Sequence, residues 1–135
     1  MSKHKFICEY EIRAAIKMLY PYLSTAKGLE EWFAEKVVVS SQKIYNIYWD
    51  NQNHPAKIIS QRFNKSIRYQ FFDESKAGAK SEDLSFLELK LEHNEFTQTS
   101  FIKIIDYSDM DNEDDLYDLW DGLIANLKEQ VGDRT

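Results

Sequence analysis

The sequence predicts an α+β domain in which a curved antiparallel sheet packs on one long C-terminal helix. Three observations carry that prediction. One strand, two short helices and then about six more strands succeed one another, the strands short and rich in β-branched and aromatic residues. Leu116, Leu119, Trp120, Leu123, Ile124, Leu127 and Val131 recur at spacings of three and four near the C-terminus, a broad apolar stripe. The clearest strand, Leu87-Glu88-Leu89-Lys90-Leu91-Glu92, has one dry face and one wet face. The simplest burial lays the helix stripe on the dry face of the sheet. Strong curvature would leave a cavity between them.

Residues 5–12 alternate, with Phe6, Cys8, Tyr10 and Ile12 on one side, and so predict the first strand. Ala14, Ala15, Ile16, Met18 and Leu19 suit a short helix, which Pro21 should end or kink because proline removes a donor and crowds the preceding turn. Thr25 is the expected N-cap of a second helix whose Leu29, Trp32 and Phe33 share a face. From Val37 the chain turns β-rich, with strands at 37–41, 43–49, 56–63 and 66–72; Asp50-Asn51-Gln52-Asn53 and Phe63-Asn64-Lys65 supply turns. Residues 73–83, polar and holding the one mid-chain Gly, read as a loop. Strands over 87–92 and 97–106 follow. Asp111 or Asn112 caps the last helix, Glu113, Asp114 and Asp115 suit its positive end, and Gly132 suits its C-terminus. Neither an internal repeat nor a domain boundary is visible, so residues 1–135 read as one domain.

Composition narrows the function classes. The 135 residues carry 17 basic and 23 acidic side chains, a net charge of −6, with 14% aromatic residues and only four Gly and two Pro. Such a chain is neither disordered nor fibrous. Of the acidic residues, 15 fall after position 80, most of them around the start of the last helix. The basic residues are scattered singly with no aromatic RNA-binding motif, which argues against nucleic acid. No apolar run reaches signal-peptide or membrane-span length, and the single Cys8 allows no internal disulfide, so the expectation is a cytoplasmic protein.

Chemical motifs are sparse. His4, His54 and His93 lie far apart and give no metal-ligand spacing. A calcium loop begun at Asp109 fails, because its sixth and twelfth positions are Asp114 and Trp120. The run Asp106, Asp109, Asp111, Glu113, Asp114, Asp115 therefore reads as solvated charge at a helix start. Ser-x-x-Lys occurs three times without its companion motifs. Cys8, on the apolar side of its strand, reads as a buried inert thiol. No cofactor, metal or catalytic residue is predicted.

Three stretches carry a resemblance. LSTAKGLEEWFAEKV (23–37) looks like a second-helix signature; FIKIIDYSDMDNED (101–114) looks like a final strand running into an acidic helix start; LYDLWDGLIANLKEQVG (116–132) looks like a closing helix. Together they resemble the START-like superfamily, also called SRPBCC or helix-grip proteins. The likeness is to the branch of homologues of the heat-shock-protein-90 ATPase activator, and within it to short START-like domain proteins of Bacteroidetes. Arg13 and Ala26 depart from that pattern where it often has a helix cap and a proline.

The resemblance implies a hydrophobic cavity between the C-terminal helix and the concave sheet, with a small hydrophobic molecule as partner; the scattered basic residues and short apolar runs add the expectation of no nucleic acid and no membrane span. With the Leu87, Leu89, Leu91 face inward, strand parity adds Ile67, Tyr69 and Phe71, and places Ser60 and Arg62 with Ile58. The expected ligand-binding set is thus Ile58, Ser60, Ile67, Tyr69, Phe71, Leu87, Leu89, Leu91, Trp120, Ile124 and Leu127, with Tyr69 as an orienting hydroxyl. Two other readings stand beside this binder: a cyclase or dehydratase using Tyr69 or His93 for proton transfer, and a co-chaperone-like interaction module.

Overall fold

A computed structural model describes residues 3–72 and 84–132. The predicted loop at 73–83 lies outside the described residues. Strand β1 (His4–Ile12) is followed by helices α1 (Ile16–Ser24) and α2 (Ala26–Trp32). Then come β2 (Lys36–Val39), β3 (Tyr45–Trp49), β4 (Gln52–Arg62), β5 (Ser66–Phe71), β6 (Phe86–Asn94) and β7 (Thr99–Ser108), and last α3 (Glu113–Val131). The strands form one antiparallel sheet in the order β1-β7-β6-β5-β4-β3-β2. With its curved sheet around a long C-terminal helix, this is the helix-grip architecture.

Local chemistry accounts for the boundaries. Asp50 and Asn51 both adopt positive φ, 52° and 58°, which makes the tight β3–β4 hairpin and lets β4 begin at Gln52, earlier than the sequence suggests. Thr25 Oγ1 accepts from Gly28 N at 2.9 Å and caps α2. Asn112 Oδ1 accepts from Asp115 N at 3.0 Å and caps α3. Gly132 closes α3 at φ 70°. Pro21 does not end α1; the helix runs on to Ser24. The Lys17 position, whose carbonyl loses its helical donor, is exposed to water. The Pro21 carbonyl accepts from both Thr25 N (3.2 Å) and Thr25 Oγ1 (2.8 Å), so the last turn of α1 is held from beyond. The break falls instead at Thr25, which is extended.

The inward face of the sheet is read from its register. Phe6, Cys8, Tyr10 and Ile12 oppose Asp106, Ile104, Ile102 and Ser100, and the last four oppose Leu87, Leu89, Leu91 and His93. Ile67 and Tyr69 continue that face across Leu89 and Leu87. The register of β4 against β5 shifts between Ile58 and Ser60. A bulge inserts one residue and reverses the side-chain alternation beyond it. Ile58 therefore faces inward with Tyr69, whereas Ser60 pairs with Arg68 and Arg62 with Ser66 on the outer face. This corrects the simple parity that grouped Ser60 and Arg62 with Ile58. The centre of the molecule is filled: Ile67, Leu89, Ile102, Ile104, Ile124 and Leu127 are at most 1% exposed.

Candidate functional site

Alternate hairpins put the β3–β4 turn, the end of β7 and the start of α3 at one end of the sheet. At this end a groove of about 1080 Å³ opens between α3 and the strands. Leu119, Trp120 and Leu123 of α3 form one wall, and Phe33, the residue closing α2, forms a second. The sheet side is built by Trp49, His54, Phe71, Leu87 and Asp106. The space also continues round the sheet to Asn53, Phe72, Phe86 and Tyr107, so its volume exceeds that of the inward recess.

The recess is lined by a connected arc of rings. Trp120 stacks near Phe33 (6.0 Å between centroids, 25°), and Phe33 meets Trp49 edge-on at 5.7 Å. Trp49 meets Phe71 edge-on at 5.7 Å and stacks flat on His54 at 3.6 Å and 8°. Helical spacing projects Trp120 and Leu123 to one side of α3. The two-residue hairpin brings Trp49 and His54, diagonal neighbours across the β3–β4 pair, into stacking range.

A polar side chain sits at each end of the arc. Asp106 accepts from Trp120 Nε1 at 2.9 Å. Burial holds its carboxyl above the ordinary carboxylate range, opposed by the bonds from Trp120 and Ser108 and by nearby His4. At the other end, burial lowers His54, opposed by a hydrogen bond to the Trp49 backbone. That bond engages Nδ1, since His54 Nε2 is shut from solvent without a hydrogen-bond partner. The imidazole is then neutral with Nε2 as a free acceptor.

Three of the expected ligand-binding residues, Phe71, Leu87 and Trp120, line the groove. Ile67, Tyr69, Leu89, Leu91, Ile124 and Leu127 lie deeper, packed against one another and against α1 and α2. Ile58 is half-buried beside them, and Ser60 is exposed on the outer face. Tyr69 is 1% exposed and its hydroxyl donates to the Leu23 carbonyl at 2.5 Å, so the group expected to orient a ligand holds the end of α1 instead. His93 keeps the inward parity but is exposed at the opposite end, among Glu11, Arg13 and Thr99. Cys8 is buried and its thiol is pushed up to about 11 by that burial, as suits an inert group.

Sequence reasoning missed Phe33, Trp49, His54, Asp106 and Leu123. A signal for Asp106 was present: it continues the alternation of Ile102 and Ile104, and so belongs to the strand's inner face rather than to the charged helix start. Among the described residues no group of His, Cys, Asp and Glu is arranged to hold a metal, and no helix is long and apolar enough to cross a membrane.

A sheet gripping one long helix, with an aromatic recess at the mouth, defines a helix-grip protein. The chain belongs to the START-like superfamily, whose domain it matches over residues 1–133. A solution structure from Bacteroides fragilis is 31% identical to it, covers 96% of this chain and 92% of its own, and superposes with a TM-score of 0.61. The Aha1 dimer of Colwellia psychrerythraea is 16% identical over 95% of this chain and 96% of its own, with a TM-score of 0.74. A Bacillus halodurans protein is 13% identical over 97% and 99%, with a TM-score of 0.72. These last two likenesses show the fold alone. None of the curated proteins matches the chain.

Proposed function

We propose that this protein is a non-enzymatic binder of a small hydrophobic molecule, held in the groove between the start of α3 and the end of the sheet. One observation carries this reading: Phe33, Trp49, Phe71, Leu87, Trp120 and Leu123 converge on open space while the core behind them is filled. A concave, mainly apolar site with a few placed polar groups is the usual form of a ligand pocket. Apolar surface kept in contact with water is unfavourable, and an apolar ligand would cover it. We place this activity in the cytoplasm, in keeping with a chain whose one cysteine is a free thiol.

Native mass spectrometry of protein purified from its own host tests the reading, with Leu123→Trp as the comparison. Leu123 is half-buried on the groove wall, so an indole there fills the recess at little cost to the core. The expected result is a retained small-molecule mass in the wild type that is absent from the folded variant. Retention of the same mass by both proteins would move the ligand elsewhere, and a bare chain in both would sink the proposal.

A further inference from the structure

The groove has an electrostatic character that an ordinary fatty-acid site lacks. Asp50, Asp106 and Asp109 line it, and among the described lining residues there is neither Lys nor Arg. Lys3 contacts Asp109 at 2.9 Å, and His4, the base nearest Asp106, lies 3.2 Å from Glu113. The two polar side chains at the ends of the aromatic arc are both able to accept. Asp106 receives bonds from Trp120 and Ser108 and keeps lone pairs free, and His54 Nε2 is shut from solvent with no partner at all. A ligand that supplies a donor therefore gains more at Asp106 than one that brings another acceptor. Between these two groups lie the rings of Trp120, Phe33 and Trp49, whose faces attract a cation.

We infer that the groove is built for an amphiphilic organic amine, whose ammonium is held by the Asp106 carboxylate within the aromatic arc while its apolar body lies along Phe33, Trp49 and Phe71. An alcohol of the same body would bind more weakly. A carboxylate would meet like charge at Asp106. The inference rests on the groove being a binding site, and it deepens that reading by naming the ligand's chemical class.

A matched series tests it: 2-(1-naphthyl)ethylamine, 2-(1-naphthyl)ethanol and 1-naphthylacetate, titrated calorimetrically into the full-length protein, into Asp106→Asn and into Leu123→Trp. Charge-assisted hydrogen bonds are worth enough that the amine should bind at least about tenfold tighter than the alcohol, with the carboxylate weakest. Asp106→Asn should bring the amine to the level of the alcohol. Leu123→Trp should abolish all three. Equal binding of the series, or a preference for the carboxylate, overturns the inference and leaves the groove as a binding site. An amine preference that survives Asp106→Asn also overturns it. Absence of binding by every probe, in wild type and variants alike, removes both the inference and the reading beneath it.

Discussion

Gly28 and Gly122 both sit within helices and both have ordinary helical φ, so alanine should favour the helix equally at the two sites, by roughly 1 kcal/mol. Their surroundings reverse the outcome. A Cβ on Gly122 meets nothing within 4 Å. A Cβ on Gly28 would lie 2.2 Å from the Pro21 carbonyl oxygen, 2.6 Å from Tyr22 Cα and 2.8 Å from Thr25 Oγ1. The first approach is more than 1 Å inside the 3.4 Å at which ordinary contact begins, and the first two atoms are backbone. Relief requires α1 and α2 to separate, which breaks the two bonds that Thr25 makes to the Pro21 carbonyl. Overpacking of this kind costs about 1–3 kcal/mol, and two lost hydrogen bonds add about 0.5–1.5 kcal/mol each. Set against the helix-propensity gain, Gly28→Ala should destabilise by about 1–5 kcal/mol, whereas Gly122→Ala should stabilise by about 0.5–1 kcal/mol. Urea unfolding followed by far-UV circular dichroism measures both, through opposite shifts of the midpoint at unchanged slope. A Gly28→Ala midpoint at or above that of the wild type would refute the argument that α1 and α2 touch through this glycine.

Tyr69→Phe deletes a buried hydroxyl and leaves the Leu23 carbonyl without its donor, so stability should fall by about 1–3 kcal/mol in urea while groove binding is unchanged; loss of binding without loss of stability would restore Tyr69 to the site. Asp106 has a native pKa raised above its unfolded value near 3.8, so the native state holds the proton more tightly, and its ionisation costs stability progressively as pH rises from that value through the raised one. Asp106→Asn should remove that slope, and the difference in unfolding free energy between variant and wild type should grow across this window and then level off. A difference independent of pH would contradict the burial argument. Phe96 is fully exposed at the tip of the β6–β7 turn, so Phe96→Ser should change the urea midpoint by less than the equivalent of about 0.5 kcal/mol. Cys8 should react with a thiol reagent only on unfolding, and rapid labelling of the native protein would show that its strand opens.

The elements were legible because their signals are local. Thr25, Asn112 and Gly132 cap helices by chemistry that needs no knowledge of the rest of the fold, and Leu87 to Leu91 alternate as one strand face must. The site was legible only in part, because its position depends on how elements meet. Parity places Ile67, Tyr69 and Leu89 inward correctly, but inward at the centre of a sheet covered by helices means filled. The open space is at the end, where no single strand reports it. Ser60 was misplaced because one extra residue in β4 reverses alternation, and nothing in Ile58-Ile59-Ser60 announces a bulge. His54 reads as a solitary histidine until the Asp50-Asn51 turn folds it onto Trp49.

The two glycine substitutions bear on the groove as well as on stability. Phe33 is the residue that closes α2, and its ring is the hinge of the aromatic arc, touching Trp120 on one side and Trp49 on the other. α2 spans only seven residues and is held at its start by the Thr25 cap and the close approach of Gly28 to α1. Trp32 Nε1 adds a second tie, donating to the Tyr22 carbonyl at 2.9 Å. The ångström that Gly28 saves between the helices is therefore passed along a short rigid segment to the wall of the recess. Gly28→Ala, assayed under conditions where the variant remains folded, should weaken binding of a groove ligand several-fold although residue 28 lines no part of the groove. Gly122→Ala, one residue from Leu123 but on the exposed side of α3, should leave it unchanged. An effect on binding from Gly122 and none from Gly28 would mean that the recess is shaped by α3 alone and that α2 merely covers the core.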